Sequence, residues 1–107
     1  MSKEVTDSSF KSEVLDEKSM PVLVDFWAPW CGPCRMVAPV VEEMEKKFSG
    51  RLKVLKLNTD ENTSTSMTYQ ITGIPCIIIF KNGNEATRLV GYRPADAMEK
   101  EINKLLA

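Results

Sequence analysis

Val24-Asp25-Phe26-Trp27-Ala28-Pro29-Trp30-Cys31-Gly32-Pro33-Cys34 joins two stretches of opposite character and decides how the rest of the chain is read. The run Val22 to Ala28 is β-branched and aromatic without alternation, which predicts a strand covered on both faces. From Pro33 the pattern changes. Proline opens a helix at a position where its missing N–H costs nothing, and Val37, Val40, Val41, Met44 and Phe48 supply an apolar face. Two of the three cysteines stand at this junction, two residues apart. A disulfide closing so small a ring constrains the unfolded chain by only about 2 kcal/mol, less than half the roughly 4.7 kcal/mol of a hundred-residue loop. It is a poor staple and a good reversible pair, because the second thiol is always within reach to resolve a mixed disulfide formed by the first.

Working outward, Asp25 is a carboxylate in the middle of a strand that should be buried. Upstream, Lys3-Glu4-Val5 reads as a short edge strand. Thr6 or Asp7 can cap a first helix that carries Phe10, Val14 and Leu15 and ends near Glu17 or Lys18. Downstream, Pro39 interrupts the second helix and predicts a kink, Glu42–Lys46 and Glu43–Lys47 form favourable pairs four apart, and Ser49-Gly50 closes the segment. Leu52 to Leu57 is the next strand, so strand, helix, strand implies a parallel pair joined by a right-handed crossover. Between Asn58 and Ile71, Asp60 and Asn62 are good caps, but Thr63-Ser64-Thr65-Ser66 is poor helix material, predicting a short helix reaching Tyr69. Cys76 to Phe80 is a second fully apolar strand. Asn82-Gly83 supplies the two positive φ angles of a tight hairpin, so the strand around Thr87 to Val90 returns antiparallel. After Gly91, Pro94 opens a last helix with Met98, Ile102, Leu105 and Leu106 against the sheet. The expected fold is a single α/β domain, residues 1–107, with a mixed sheet.

Composition narrows the chemistry. A chain of 107 residues that is 43% apolar can bury a core without cross-links, and a net charge of -1 with both signs dispersed gives no electrostatic case for nucleic acid or an anionic membrane. No apolar run is long enough for a transmembrane helix, and Met1 to Asp7 lacks the apolar core of a secretion signal. The chain therefore reads as soluble and intracellular, where a close cysteine pair is catalytic more often than structural. The sequence contains no histidine, which removes Ser/His and Cys/His nucleophile pairs and every imidazole metal site. Three sulfurs at most are too few for a structural zinc, so no metal site is expected and no cofactor is implied.

The segment Val24-Asp25-Phe26-Trp27-Ala28, the motif Trp30-Cys31-Gly32-Pro33-Cys34, Pro39, Lys56-Leu57-Asn58, Gly73-Ile74-Pro75, Phe80-Lys81-Asn82-Gly83 and Gly91, in this order, resemble the thioredoxin family across almost the whole chain. The motif region is similar to its bacterial and chloroplast m-type branch. The resemblance implies a five-stranded mixed sheet flanked by four helices and a cis peptide before Pro75, facing the cysteines. It implies Cys31 as the attacking thiolate, Cys34 as the resolving thiol, and Asp25 with Lys56 as the proton-handling pair. Trp30, Gly32, Pro33, Gly73, Ile74, Pro75, Val90 and Gly91 would form the surface that receives a partner chain. It also implies a monomer in the cytoplasm, or in the chloroplast stroma after removal of a transit peptide. Such a protein carries electrons to disulfide-containing targets and is regenerated by a thioredoxin reductase, NADPH-linked or ferredoxin-linked. The sequence departs from the family pattern at Cys76, where threonine is usual, at Thr59, where an apolar residue is common, and at Thr63, where proline often starts a helix.

The residues themselves support this chemistry and leave alternatives. Cys31 lies just before a helix N-terminus, an exposed location where free N–H groups and the helix dipole favour a thiolate. Nucleophilicity falls as the thiolate becomes more stable, so activation alone does not make a catalyst; docking and an intramolecular second step must supply the rest. Asp25 is either a base for the Cys34 proton, its own proton held by desolvation, or a structural partner of Lys56. Trp27 reads as core, whereas Trp30 serves recognition or packing within the motif. Cys76 is either a small buried hydrophobe, close to the active pair but not part of it, or a third redox thiol. A disulfide reductase is the leading function, a redox-silent binding module and an oxidase or isomerase the others.

Overall fold

The protein is described here from a computed structural model, in which residues 2–106 are placed. Its elements in chain order are β1 (Lys3–Glu4), a π-helix (Lys11–Leu15), β2 (Val22–Trp27), α1 (Gly32–Lys47), β3 (Lys53–Asn58), α2 (Thr63–Thr68), β4 (Cys76–Lys81), β5 (Asn84–Val90) and α3 (Ala95–Leu106). The sheet has the order β1-β3-β2-β4-β5, with β1, β3 and β2 mutually parallel and β4 and β5 antiparallel.

The unalternating runs are explained by layers on both faces. Val24, Phe26, Leu55, Leu57, Ile78 and Phe80 point to one face, where the π-helix contributes Phe10 and Val14 and the α2 region adds Tyr69 and Ile71. Phe10, Tyr69 and Phe80 pack with ring centroids 5.3 to 5.6 Å apart. Leu23, Val54, Ile77 and Ile79 point to the other face, beneath Val37, Val41, Met44 and Phe48 around α1 and Met98 and Ile102 of α3. Each fully buried aliphatic or aromatic side chain contributes about 1.5 to 3 kcal/mol relative to exposure. Strand periodicity sets Asp25, between Leu23 and Trp27, on this second, apolar face.

The hairpin forms as its residues require: Asn82 has φ +54°, Gly83 φ +81°, and Lys81 and Asn84 are partners. The Lys18 ammonium ties the hairpin to the π-helix, donating to the carbonyls of Leu15 and Asn82. Gly50, φ +83°, turns the chain after α1.

Three expectations are corrected. The first helix is shorter than its apolar spacing predicts, a π-helix closed by Asp16 N–H donating to the Lys11 carbonyl at 2.9 Å. Hydroxyls of Thr6, Ser8 and Ser9 hydrogen-bond locally and make the preceding residues a turn. Asp7 does not cap this helix. Its carboxylate accepts from the backbone N–H groups of Thr65 (2.8 Å) and Ser64 (3.3 Å), so it caps α2, while Asn62 spends its side chain on the Asp7 N–H and the Asn58 carbonyl. This borrowed cap lets the helix start at Thr63 without proline. Finally, neither Glu42–Lys46 nor Glu43–Lys47 closes; Lys47 instead reaches Glu99 of α3 at 2.8 Å, tying together the two helices on that face.

Candidate active site

The backbone between β2 and α1 is shaped by a few hydrogen bonds. Cys31 N–H donates to the Ala28 carbonyl at 3.1 Å, and the Arg35 guanidinium reaches back to the Pro29 carbonyl at 2.9 Å. Cys31 is thereby the N-cap of α1, in extended conformation, and Pro33 occupies the first turn. Cys31 and Cys34 are joined in a disulfide, with Cα atoms 5.2 Å apart. The Cys31 sulfur accepts from the Cys34 N–H at 3.1 Å, the position of an N-cap oxygen in an ordinary helix. A sulfur held there in the reduced state faces free N–H groups and the positive end of α1, which favour its thiolate.

Both cysteines are only 4% exposed, which corrects the expectation that the helix start is an exposed location. They are packed with Ala28 and flanked by Trp27 and Ile74, so a disulfide that reacts with them must be pressed into a shallow recess. The rim of that recess draws on three separate parts of the chain. The Ile74 carbonyl lies 3.9 Å from the Cys31 sulfur, and the Ile74–Pro75 peptide is cis. Gly91, φ +87°, donates its N–H to the Pro75 carbonyl at 2.8 Å. A Cβ on Gly73 would stand 3.2 Å from Cγ1 of Val90, so glycine there keeps the surface low beside a half-exposed valine. Trp30 is 69% exposed, with its indole N–H donating to the Asp60 carboxylate at 3.1 and 3.2 Å. Gly32 and Pro33, at the first turn of α1, complete the rim.

Beneath the cysteines, a cavity of about 310 Å³ is lined by Trp27, Ala28, Pro29, Cys34, Arg35, Ala38 and Lys56. Asp25 and Lys56 are register partners on β2 and β3. Asp25 is 1% exposed, and neither carboxylate oxygen has a hydrogen-bond partner. Burial pushes its carboxyl up to about 7; Lys56 opposes this and the Glu4 carboxylate reinforces it. The Lys56 ammonium forms no ion pair with it and instead sits 4.7 Å from the centroid of the Trp27 ring.

Cys76 is 1% exposed and packs in the layer of Phe26 and Ile78, apart from the recess of the active pair. It is a free thiol, and burial pushes its pKa up. Thr59 turns its hydroxyl inward, donating to the Trp27 carbonyl at 3.1 Å. Three residues about the site carried no signal in their own segments. Asp60 reads from sequence only as a cap and Glu4 as part of an edge strand, and Arg35 draws no reading at all; each reaches the site through tertiary placement.

A redox-active cysteine pair at a helix N-terminus, set over a mixed sheet between an exposed tryptophan and a cis-proline loop, defines a thiol–disulfide oxidoreductase. A family model described as Thioredoxin matches residues 1–104, and the chain belongs to the thioredoxin family. It is 52% identical over 103 residues to a thioredoxin of Synechocystis, covering 96% of this chain and 95% of that protein. It is 54% identical over 102 residues to thioredoxin 1 of Synechococcus elongatus, covering 95% and 94%. Over 104 residues it is 49% identical to a thioredoxin of Rickettsia felis, covering 97% and 98%. The chain is accordingly a protein disulfide reductase acting by dithiol–disulfide exchange, and its class acts on disulfide-containing proteins and is regenerated by a thioredoxin reductase. No helix among the described residues is long and apolar enough to cross a membrane.

Proposed function

We propose that this chain works as a single-domain, monomeric reductant of many cytoplasmic disulfide proteins, with Cys31 attacking, Cys34 resolving and Asp25 taking the Cys34 proton. The observation that carries this reading is the Cys31–Cys34 disulfide at the start of α1, recessed below a rim of Trp30, Gly73, Ile74, Val90 and Gly91. In the reduced protein the Cys31 thiolate attacks one sulfur of the target disulfide, forming a mixed disulfide and releasing the first target thiolate. Asp25, as carboxylate, accepts the Cys34 proton directly or through water. The Cys34 thiolate then attacks the Cys31 sulfur and expels the second target thiolate. Two electrons pass to the target, and the protein keeps the disulfide. Lys56 favours the Asp25 carboxylate that receives the proton, and the target segment lies against Ile74 and Pro75, where the Ile74 carbonyl is beside the Cys31 sulfur.

Cytoplasmic placement is supported by the bacterial relatives, with the chloroplast stroma as the alternative that the algal relatives support. The reductase is an NADPH-linked or a ferredoxin-linked thioredoxin reductase. Insulin reduction with dithiothreitol, followed by recycling with each purified reductase, tests the reading. Catalysed precipitation of insulin chains that disappears when Cys31 and Cys34 are both changed to serine is expected. Turnover that survives the double change would leave a binding module whose redox chemistry is incidental.

A further inference from the structure

We propose that Glu4, on the edge strand β1, is a positioning residue for Asp25 and acts on it both through its own negative charge and through Lys56. Register carries this. Glu4 is the partner of Lys56 across β1 and β3, and Lys56 is the partner of Asp25 across β3 and β2. Partners in register project to the same face of a sheet, so one ammonium stands between two carboxylates in a single row. The row lies on the face occupied by Leu23 and Ile77, and its inner member is the buried one.

The Trp27 ring organises this row. Lys56 rests over its face at 4.7 Å from the centroid, and its indole nitrogen is buried without a partner of good hydrogen-bond geometry. Burial pushes the Glu4 carboxyl above the usual carboxylate value, and Lys56 opposes this. The ammonium is thus held where it closes an ion pair with neither carboxylate, and Asp25 is left with two unpaired oxygens in an apolar layer.

Charge near Asp25 comes from few places. Lys56 and Glu4 act on it directly. Arg35 and the Cys34 sulfur, from the first turns of α1, share the cavity with Lys56. Cys76 of β4 is neutral, and its side chain belongs to the opposite layer. Glu61, beyond β3, adds negative field at Glu4. Glu4 is therefore the carboxylate whose negative charge bears on Asp25. Removing it takes away a like charge and leaves Lys56 to Asp25 alone, and both changes favour the Asp25 carboxylate. Glu4 keeps the base protonated to higher pH than burial and Lys56 alone would.

The test is direct titration of Asp25 by its carboxyl carbon resonance in the oxidised protein, in the natural sequence and in Glu4→Gln. Glu4 is exposed, so the amide is accommodated without disturbing the core. The expected result is a downward move of the Asp25 midpoint in Glu4→Gln, with Glu4→Asp staying close to the natural protein. In a Lys56→Met background the same change should move the midpoint less, since part of the effect travels through the ammonium. An Asp25 midpoint unchanged or raised in Glu4→Gln overturns the proposal, and an undiminished move in Lys56→Met overturns the route through Lys56. Kinetics provide a second readout, which rests on Asp25 being the Cys34 base: release of the mixed disulfide at pH 6 should rise about twofold in Glu4→Gln. A midpoint that falls while the release profile stays in place supports the role of Glu4 and removes the base assignment instead.

Discussion

Asp25 and Lys56 are partners in register on adjacent parallel strands, yet their charges do not meet: the ammonium lies over Trp27 and the carboxylate has no hydrogen bond. This makes Asp25 an energetic burden on the fold when ionised, and it sets the first expectation. The folded protein holds the Asp25 proton up to about pH 7, whereas the unfolded chain releases it near the ordinary 3.8. Between those values the folded state binds more protons, so stability falls as pH rises through that window and stays lower above it. Asp25→Asn removes the titration. Urea unfolding should show the variant more stable than the natural protein by on the order of 4 kcal/mol at pH 8, with the difference closing toward pH 4. A variant equally stable or less stable at pH 8 would mean that Lys56 or bound water satisfies the charge.

Asp7 caps α2 from the far side of the fold, through the N–H groups of Ser64 and Thr65. The Thr65 side chain and these N–H groups together lower its carboxyl from the ordinary value. Asp7→Ala should destabilise the protein by about 1 kcal/mol, and Asp7→Asn by less, with amide hydrogen exchange in α2 accelerated most. Exchange accelerated instead across Ser9 to Leu15 would return the cap to the first helix.

Gly83→Ala should be among the costlier changes in the hairpin. Its φ of +81° strains any side chain, and a Cβ would lie 2.7 Å from the Leu15 carbonyl oxygen. Because that neighbour is backbone, a loss of at least about 1 to 2 kcal/mol is expected in denaturant unfolding, with insulin reduction unaffected at low temperature. Gly50 has a similar φ but open space around it, and Gly50→Ala should cost less.

The buried Cys76 thiol should be inert while the protein is folded. Counting thiols on the oxidised protein should give about none when native, about one when unfolded and about three after reduction and unfolding, from one free thiol and one disulfide. Rapid native labelling of Cys76, or a mixed disulfide between it and Cys31 or Cys34, would show a third redox thiol.

What was legible in the sequence is what neighbouring residues decide among themselves. Proline after Cys31, the apolar face from Val37 to Phe48, the Asn82-Gly83 turn and the unalternating strands are local signals, and each element stands where they place it. The mismatches have a common cause. Asp7, one of two candidate caps for the helix beside it, serves a helix nearly sixty residues away. Lys47 prefers Glu99 of another helix to the glutamate one turn before it. At the site, the cysteines, Asp25 and Lys56 were readable, but the Glu4-Lys56-Asp25 row depends on the order β1-β3-β2, which no single segment encodes. The near-burial of Cys31 likewise comes from packing with Ile74, distant in sequence.

The central claim is that Asp25 takes the proton of Cys34, and single-turnover release of a mixed disulfide tests it most directly. Cys31 would be loaded with a target peptide through a disulfide and release followed by stopped flow from pH 5 to 9, in the natural protein and in Asp25→Asn. The account predicts that release slows as pH falls through about 7 in the natural protein and that Asp25→Asn is slower at pH 7 by about tenfold to a hundredfold, with first attack by Cys31 nearly unchanged. An Asp25→Asn protein that releases the peptide at the natural rate across that range would contradict it and leave Asp25 a buried charge without a part in the exchange.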